Sequence, residues 1–336
     1  MGHAKPPVNH CHMMKLVFLD AATMGGDIDL APLRQFGELT VYDNTRPEEV
    51  IARIEKADIV LLNKVKLGKA QIQAARNLKL ICVAATGLDP VDLDYAAEKG
   101  IPVKNVAGYS TDSVAQTAFL HILCCVQQGP YFNEYAHSEA YPASGLPTHF
   151  GGRYFHELSG KRLGIIGLGA IGRKVAAIAS AFGMEVVYFS TSGQERAGGL
   201  YRRLDLDELL RTSDLVTIHA PLNDKTRGLI GKAGLDKMKA SAYLFNLGRG
   251  AIVDECALVD ALNNNRLAGA GMDVFSTEPL PADHCYHRVK DKSKLFLTPH
   301  IAWASIEART RLVAMMADNI SQYIASRSGD RSRAGK

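Results

Sequence analysis

Residues 161–172 read Lys161-Arg-Leu-Gly-Ile-Ile-Gly-Leu-Gly-Ala-Ile-Gly172. Residues 163–166 form a short apolar run that suits a buried parallel strand. Gly167, Gly169 and Gly172 follow in G-x-G-x-x-G spacing, and residues 173–182, rich in Ala, Val and Ile, read as a helix. Strand, glycine turn and helix in that order make a dinucleotide-binding fingerprint. Gly167 permits the tight turn, Gly169 lets the backbone approach a pyrophosphate, and Gly172 lets the helix pack closely on the strand. The unpaired N–H groups and positive dipole end of the helix, at Ala170 and Ile171, suit the phosphates.

The rest of the chain agrees with this reading. Its 336 residues are enough for two domains, each burying its own core. With 47% apolar and 22% charged residues, the composition is that of a soluble globular protein. The net charge of +4 and the lack of a long basic run in the body give nucleic-acid binding no electrostatic support. Residues 1–12 and the basic tail 327–336 read as flexible ends. No apolar run approaches the roughly 18 residues of a membrane span, and the N-terminus lacks the apolar core of a secretory signal. Cysteines 11, 82, 124, 125, 256 and 285 lack framework spacing, so they read as free thiols in a reducing cytoplasm. His3, His10, Cys11 and His12 would hold a metal only adventitiously, because no ligand framework follows; no metal site is expected.

Before the fingerprint, short apolar strands at 15–20, 39–42, 59–62, 80–84 and 102–105 alternate with helices at 46–56, 69–75 and 91–99, with Thr45 as a candidate N-cap. Residues 112–128 form a long, nearly all-apolar helix of the kind buried between domains. Residues 129–160 read as irregular. After the fingerprint, strands are expected at 186–189, 215–219, 243–247, 268–274 and 295–298, with helices at 206–210, 232–238, 255–263 and 306–325. The expected fold is α/β: two Rossmann-like, doubly wound parallel-sheet domains. The nucleotide-binding domain, 112–299, is inserted into a discontinuous substrate-binding domain, 13–111 with 300–326.

Several spaced motifs share a pattern: the fingerprint, His219-Ala-Pro-Leu222, Asn246-Leu-Gly-Arg-Gly-Ala-Ile-Val-Asp254, Gly271-Met-Asp-Val-Phe-Ser-Thr-Glu-Pro279 and Thr298-Pro-His-Ile-Ala-Trp-Ala-Ser305. In order and separation they resemble the D-isomer-specific 2-hydroxyacid dehydrogenases over about residues 15–325. Cys82-Val-Ala-Ala-Thr-Gly87 and His300-Ile-Ala-Trp-Ala-Ser305 resemble the glycerate dehydrogenase (hydroxypyruvate reductase) branch most.

The residue types suit that chemistry. Reduction of a 2-keto acid needs a cation for the carboxylate, an acid for the forming alkoxide, and a group that keeps the acid charged. Arg249, just past a strand end and flanked by Gly248 and Gly250, offers a planar fork to a carboxylate; alone it would read as a surface arginine. His300, after Pro299, is the candidate acid and base, since imidazole exchanges protons near neutrality. Taken singly, it would more often be a satisfied, partly buried histidine. Glu278, on a loop stiffened by Pro279, is the candidate partner, as a carboxylate beside imidazole fixes its tautomer. The three together beside a dinucleotide site are stronger than each alone.

The resemblance implies more. The cofactor is a nicotinamide dinucleotide, the partners are a small 2-keto or 2-hydroxy acid and a second copy of the chain, and residues 112–155 are the expected dimer arm. Ala85, Thr86 and Gly87 are implied to offer backbone N–H groups to the substrate carboxylate, and Lys64 to face the same ligand, although a solvated lysine is an equal reading. Ala220, Pro221, Leu247, Gly248, Arg249, Asp273 and His300 are implied to border the cofactor, and Trp303 to wall the site or simply to pack. One departure concerns the end of the strand Glu185–Phe189. The Asp of NAD-using members is replaced there by Ser190, followed by Thr191 and Ser192. No carboxylate stands there to repel a 2′-phosphate, so the reading leans to NADP, with Arg196, Arg202 or Arg203 as sources of charge and NAD still open. Reduction of another 2-keto acid is the main alternative. Formate oxidation is disfavoured, because formate dehydrogenases of this fold carry Gln where Glu278 stands. A dinucleotide-sensing scaffold is disfavoured by the short ends.

Overall fold

The computed structural model describes residues 13–195 and 198–333. His3, His10, Cys11, His12 and Arg196, singled out above, lie outside the described residues. The chain separates into two compact units, the residues up to Ser110 together with those from Ile306 on, and Thr111–Ser305.

The first unit holds strands β1 (Met14–Phe18), β2 (Gly37–Val41), β3 (Ile59–Leu62), β4 (Leu80–Val83) and β5 (Val103–Lys104), in the order β2-β1-β3-β4-β5 and all parallel. All residues of β3 and β4 are buried, as expected where helices cover both faces of a parallel sheet. The Asp92 carboxylate accepts the Tyr95 amide at 3.0 Å and so caps the helix Leu93–Glu98. Thr45 is not a cap. Its hydroxyl donates to the Leu19 carbonyl, and Arg46 stands at the N-cap of a 3-10 turn, Pro47–Glu49, that leads into the helix Val50–Ile54. The terminal helix, Ile306–Arg333, completes this unit: Arg309 donates to the Met24 carbonyl at 2.7 Å, Arg311 to Tyr109 O at 3.0 Å and Asn319 to Asn105 O at 2.9 Å. It extends past Ala325, where the sequence pattern fades. The Arg327 guanidinium lies 5.9 Å over the Tyr323 ring one turn back and donates to its hydroxyl at 3.0 Å, which ties the added turn down.

The second unit holds β6 (Arg162–Ile166), β7 (Glu185–Phe189), β8 (Arg202–Arg203), β9 (Leu215–Ile218), β10 (Tyr243–Asn246), β11 (Gly269–Met272) and β12 (Leu295–Leu297). They form one parallel sheet in the order β12-β11-β10-β9-β6-β7-β8. Alternate residues serve its two faces. Ile166, Val187, Val216, Ile218 and Leu244 enter one core, while Leu163, Ile165, Val186, Tyr188 and Phe245 enter the other. Each fully buried Leu or Ile side chain contributes about 2 kcal/mol relative to exposure. The second core is covered by the helices Thr111–Val126 and Ala170–Ala181. The stretch read as irregular contains the helix Gly129–His137, with Pro130 in its first turn, and a short helical turn, Ala140–Ala143. Stacked Tyr131 and Tyr135, 6.1 Å apart, stabilise a segment whose few apolar positions show no clear period. The two-residue strand β8 was too short to show in the pattern.

Candidate active site

The order of the second sheet reverses between β6 and β9, where a parallel sheet opens a crevice at its carboxyl edge. At that edge Gly167 turns with φ 94°, and a Cβ there would stand 2.9 Å from the His219 carbonyl oxygen and 3.0 Å from the Ala220 nitrogen. A Cβ on Gly172 would stand 2.3 Å from the Gly167 carbonyl oxygen, so this glycine serves helix–strand packing. Gly169 differs: a Cβ there meets no protein atom within 4 Å. Nothing in the protein demands a glycine at 169, whereas a ligand laid against its backbone would. Gly169 is the N-cap of the 12-residue helix Ala170–Ala181; Gly169 and Ala170 are exposed and Ile171 half-buried. The first N–H groups of that helix have no acceptor within it. The turn therefore fits the pyrophosphate of a dinucleotide.

Three neighbouring strands end in register on the same edge: Asn246 pairs with Met272, and Met272 with Leu297. Three residues beyond these ends stand Arg249, Phe275 and His300. The Asn246 side chain, fully buried, accepts the Gly248 amide at 3.0 Å and donates to the Arg249 carbonyl at 2.9 Å, closing the loop that presents Arg249. The flanking glycines answer to the protein itself. A Cβ on Gly248 would stand 2.8 Å from Ala220 O, and one on Gly250 only 1.9 Å from the Phe275 carbonyl carbon. The Arg249 guanidinium is half-buried and donates from Nη1 to the Gly248 carbonyl at 2.9 Å. The motif ends on Asp254, which caps the helix Glu255–Asn263 by accepting the Ala257 amide at 3.0 Å.

Through Phe275 the Arg249 loop meets the next pair. The Phe275 amide donates to Glu278 Oε1 at 3.1 Å, and Glu278 Oε2 lies 2.7 Å from His300 Nδ1. Nδ1 of His300 is thus committed to the Glu278 carboxylate. His300 adopts φ 54°, and Asp273 holds it there. The Asp273 carbonyl accepts the His300 amide, and its carboxylate accepts the Thr298 hydroxyl at 2.6 Å and the amides of Ile301 and Ala302 at 3.0 Å. Asp273 is 1% exposed, and burial raises its pKa against the pull of those donors. Behind it, His121 Nε2 lies 2.8 Å from the Thr298 hydroxyl. Burial pushes His121 down to about 4, so it is neutral near pH 7, and with Thr298 Oγ1 donating to Asp273, His121 donates to Thr298. Asn246, His121 and Thr298 were not marked as site residues by sequence reasoning. A polar residue at an apolar strand end was the one signal that could have marked Asn246.

The remaining residues fall as follows. Ala220 and Leu247 are buried at the ends of β9 and β10, and the Pro221 carbonyl accepts the Thr226 hydroxyl at 2.6 Å. Ser190 is 5% exposed, with its hydroxyl 3.4 Å from that of Ser192; Thr191 is half-buried and Ser192 exposed. Tyr188 donates to Glu195 at 2.6 Å, and Arg202 pairs with Glu208 at 3.1 Å, while Arg203 is exposed. Trp303 packs on the second core. In the first unit the Asp20 carboxylate accepts the amides of Asn63, Lys64 and Val65, which fixes the loop after β3; the Lys64 side chain is exposed. After β4, the Thr86 hydroxyl donates to Val106 O at 3.0 Å, and the Ala85 carbonyl accepts the Val106 amide at 3.0 Å; Ala85 and Gly87 are half-buried.

Comparison with known proteins agrees with this arrangement. The NAD binding domain of the D-isomer specific 2-hydroxyacid dehydrogenases matches residues 120–302. A hydroxypyruvate reductase of Blautia hydrogenotrophica is 38% identical over 93% of this chain and 97% of its own. A glycerate dehydrogenase of Methylorubrum extorquens is 36% identical over 93% and 97%. Among solved structures, an NADPH-dependent glyoxylate/hydroxypyruvate reductase of Sinorhizobium meliloti, in complex with NADP and malonate, superposes with a TM-score of 0.79 at 25% identity, covering 93% of this chain and 94% of that one. With the glycine turn, the strand-end loops and these likenesses in agreement, the chain belongs to the D-isomer specific 2-hydroxyacid dehydrogenases, oxidoreductases that use a nicotinamide cofactor.

Proposed function

We propose that this protein is a hydroxypyruvate reductase that also takes glyoxylate, accepts NADPH, and works as a homodimer. The observation that carries the reading is the shared edge: the Arg249 loop and the Glu278–His300 pair follow register-aligned strands on the sheet whose turn at 167–172 suits a pyrophosphate.

In the proposed reduction, Arg249 binds the substrate carboxylate with its planar fork. A reduced nicotinamide, when bound, would supply the hydride for C2 of the keto acid. His300 passes a proton from Nε2 to the carbonyl oxygen as negative charge develops there. Glu278, on Nδ1, fixes the tautomer and balances the charged ring. The keto acid thus gains a hydride and a proton and becomes the 2-hydroxy acid. Asp273 acts on the backbone that carries His300, and its carboxylate is turned to that turn's own donors. Ala85, Thr86, Gly87 and Lys64 are proposed substrate contacts. NADPH is favoured because a buried serine, not an aspartate, follows β7. The dimer is proposed through the arm at 112–155, in which Leu146, Phe150, Tyr154 and Phe155 expose apolar surface.

The test is the loss of reduced-nicotinamide absorbance with hydroxypyruvate, glyoxylate, pyruvate and a branched 2-keto acid, each with NADH and NADPH. Highest kcat/KM for hydroxypyruvate with NADPH is expected. A preference for the branched acid, or for NADH, overturns that part of the reading.

A further inference from the structure

Away from the residues above, two dipeptides of the second unit face each other. Glu255-Cys256 opens the helix Glu255–Asn263, and His284-Cys285 opens the 3-10 turn Cys285–Arg288. The buried Glu255 carboxylate lies 3.1 Å from His284 Nε2, which pins the two backbones side by side. Arg288 donates to Cys256 Sγ at 3.7 Å. Cys285 Sγ lies 3.9 Å from His284 Nδ1, and burial, with the neighbouring Cys256 thiol second, pushes the Cys285 thiol up to about 12. The reaction proposed above uses neither sulfur.

The two thiols differ in access. Cys285 is 6% exposed, whereas Cys256 is exposed to solvent. Of the other described thiols, Cys82 and Cys125 are buried and pushed up to about 12 by that burial, and Cys124 is raised by partial burial. A guanidinium at the sulfur and a place in the first turn of a helix are surroundings in which cysteines react.

We propose that Cys256 and Cys285 form a peroxide-oxidisable dithiol, in which Cys256 is oxidised first and Cys285 closes the disulfide. The Cys256 sulfur, as thiolate, attacks one oxygen of hydrogen peroxide; the O–O bond breaks, hydroxide leaves and becomes water with the proton that the Cys256 thiol gave up on ionising, and Cys256 is a sulfenic acid. The Cys285 sulfur then attacks that sulfur. Its proton passes to His284 Nδ1, while Glu255 holds Nε2. The S–O bond breaks, and the departing hydroxide takes up that proton as water. Two thiols lose two electrons, and one peroxide becomes two waters. The cross-link falls beside the loop that carries Glu278, because Glu255 also accepts the Ser276 amide at 2.9 Å.

To test this, the full chain is treated with hydrogen peroxide, blocked with iodoacetamide without reduction, digested and mapped by mass spectrometry. A linked pair of peptides containing Cys256 and Cys285, separated by dithiothreitol, is expected. In Cys285→Ser the sulfenic acid should persist and dimedone should label Cys256; Cys256→Ser should give no link. Both cysteines recovered singly alkylated after peroxide, or Cys256 driven to sulfinic acid without a link, overturns the proposal. The wild-type map decides even if a variant fails to fold.

Discussion

Asp273 grips the backbone on both sides of the His300 ring: its carbonyl accepts the His300 amide at 2.7 Å, and its carboxylate accepts the next two amides at 3.0 Å. Between these anchors His300 sits at φ 54°, a left-handed conformation that costs a non-glycine residue on the order of 1–3 kcal/mol. Asp273→Asn keeps the shape but turns an amide N–H₂ toward N–H donors. Unfolding in urea should show a loss of about 2–3 kcal/mol. Turnover should fall while cofactor affinity changes little, because the turn that carries His300 loosens.

His300→Ala removes the proposed proton donor and leaves the glycine turn untouched. Initial rates should drop by about 10²–10⁴, the range for a general acid. Fluorescence titration should show unchanged cofactor binding. Near-normal turnover would remove His300 from the mechanism.

Two glycine substitutions separate packing from ligand contact. Gly250→Ala puts a carbon 1.9 Å from the Phe275 carbonyl carbon and should cost about 1–3 kcal/mol or more, read as a lower Tm. Gly169→Ala meets no protein atom within 4 Å, so Tm should hold while the Kd for the cofactor rises. Unchanged affinity in Gly169→Ala would place the pyrophosphate elsewhere.

Ser190→Asp adds a carboxylate where the strand Glu185–Phe189 ends. The ratio of kcat/KM for NADPH over NADH should fall at least tenfold, about 1.4 kcal/mol of repulsion. An unchanged ratio would assign cofactor choice to other residues.

Stability should weaken in acid through His121. Its folded-state pKa, about 4, lies below the ordinary 6.5, so the unfolded chain binds the proton first as pH falls. This contribution is complete above pH 6.5 and is lost down to about pH 4, and amounts to about 3 kcal/mol. Chemical denaturation at pH 7 and pH 4.5 should show a smaller difference in His121→Gln, which keeps a donor for Thr298 but does not titrate.

Much of this was legible in the sequence because the signals are local. A glycine spacing, an apolar run and a Gly-Arg-Gly triplet each lie within a few residues, so Gly167, Arg249 and His300 could be assigned to strand ends directly. Contacts across the chain could not be read that way. His121 and Thr298 are 177 positions apart, and nothing near either announces the other. Thr45 looked like a helix cap because threonine caps well, but a distant carbonyl, Leu19 O, takes its hydroxyl. Gly250 showed in the sequence only as a flank of Arg249, and the neighbour that demands it is the backbone at Phe275.

The first unit is assembled from the two ends of the chain, while the second is one continuous run. During synthesis, Thr111–Ser305 has all its strands once Ser305 has left the ribosome. The sheet β2-β1-β3-β4-β5, made earlier, must wait for the terminal helix whose Arg309, Arg311 and Asn319 bind its loops. The unit whose sheet is translated first is therefore finished last, and a nascent chain stalled before Ile306 would hold every strand of the second unit while the first still lacked the helix that Arg309, Arg311 and Asn319 tie down.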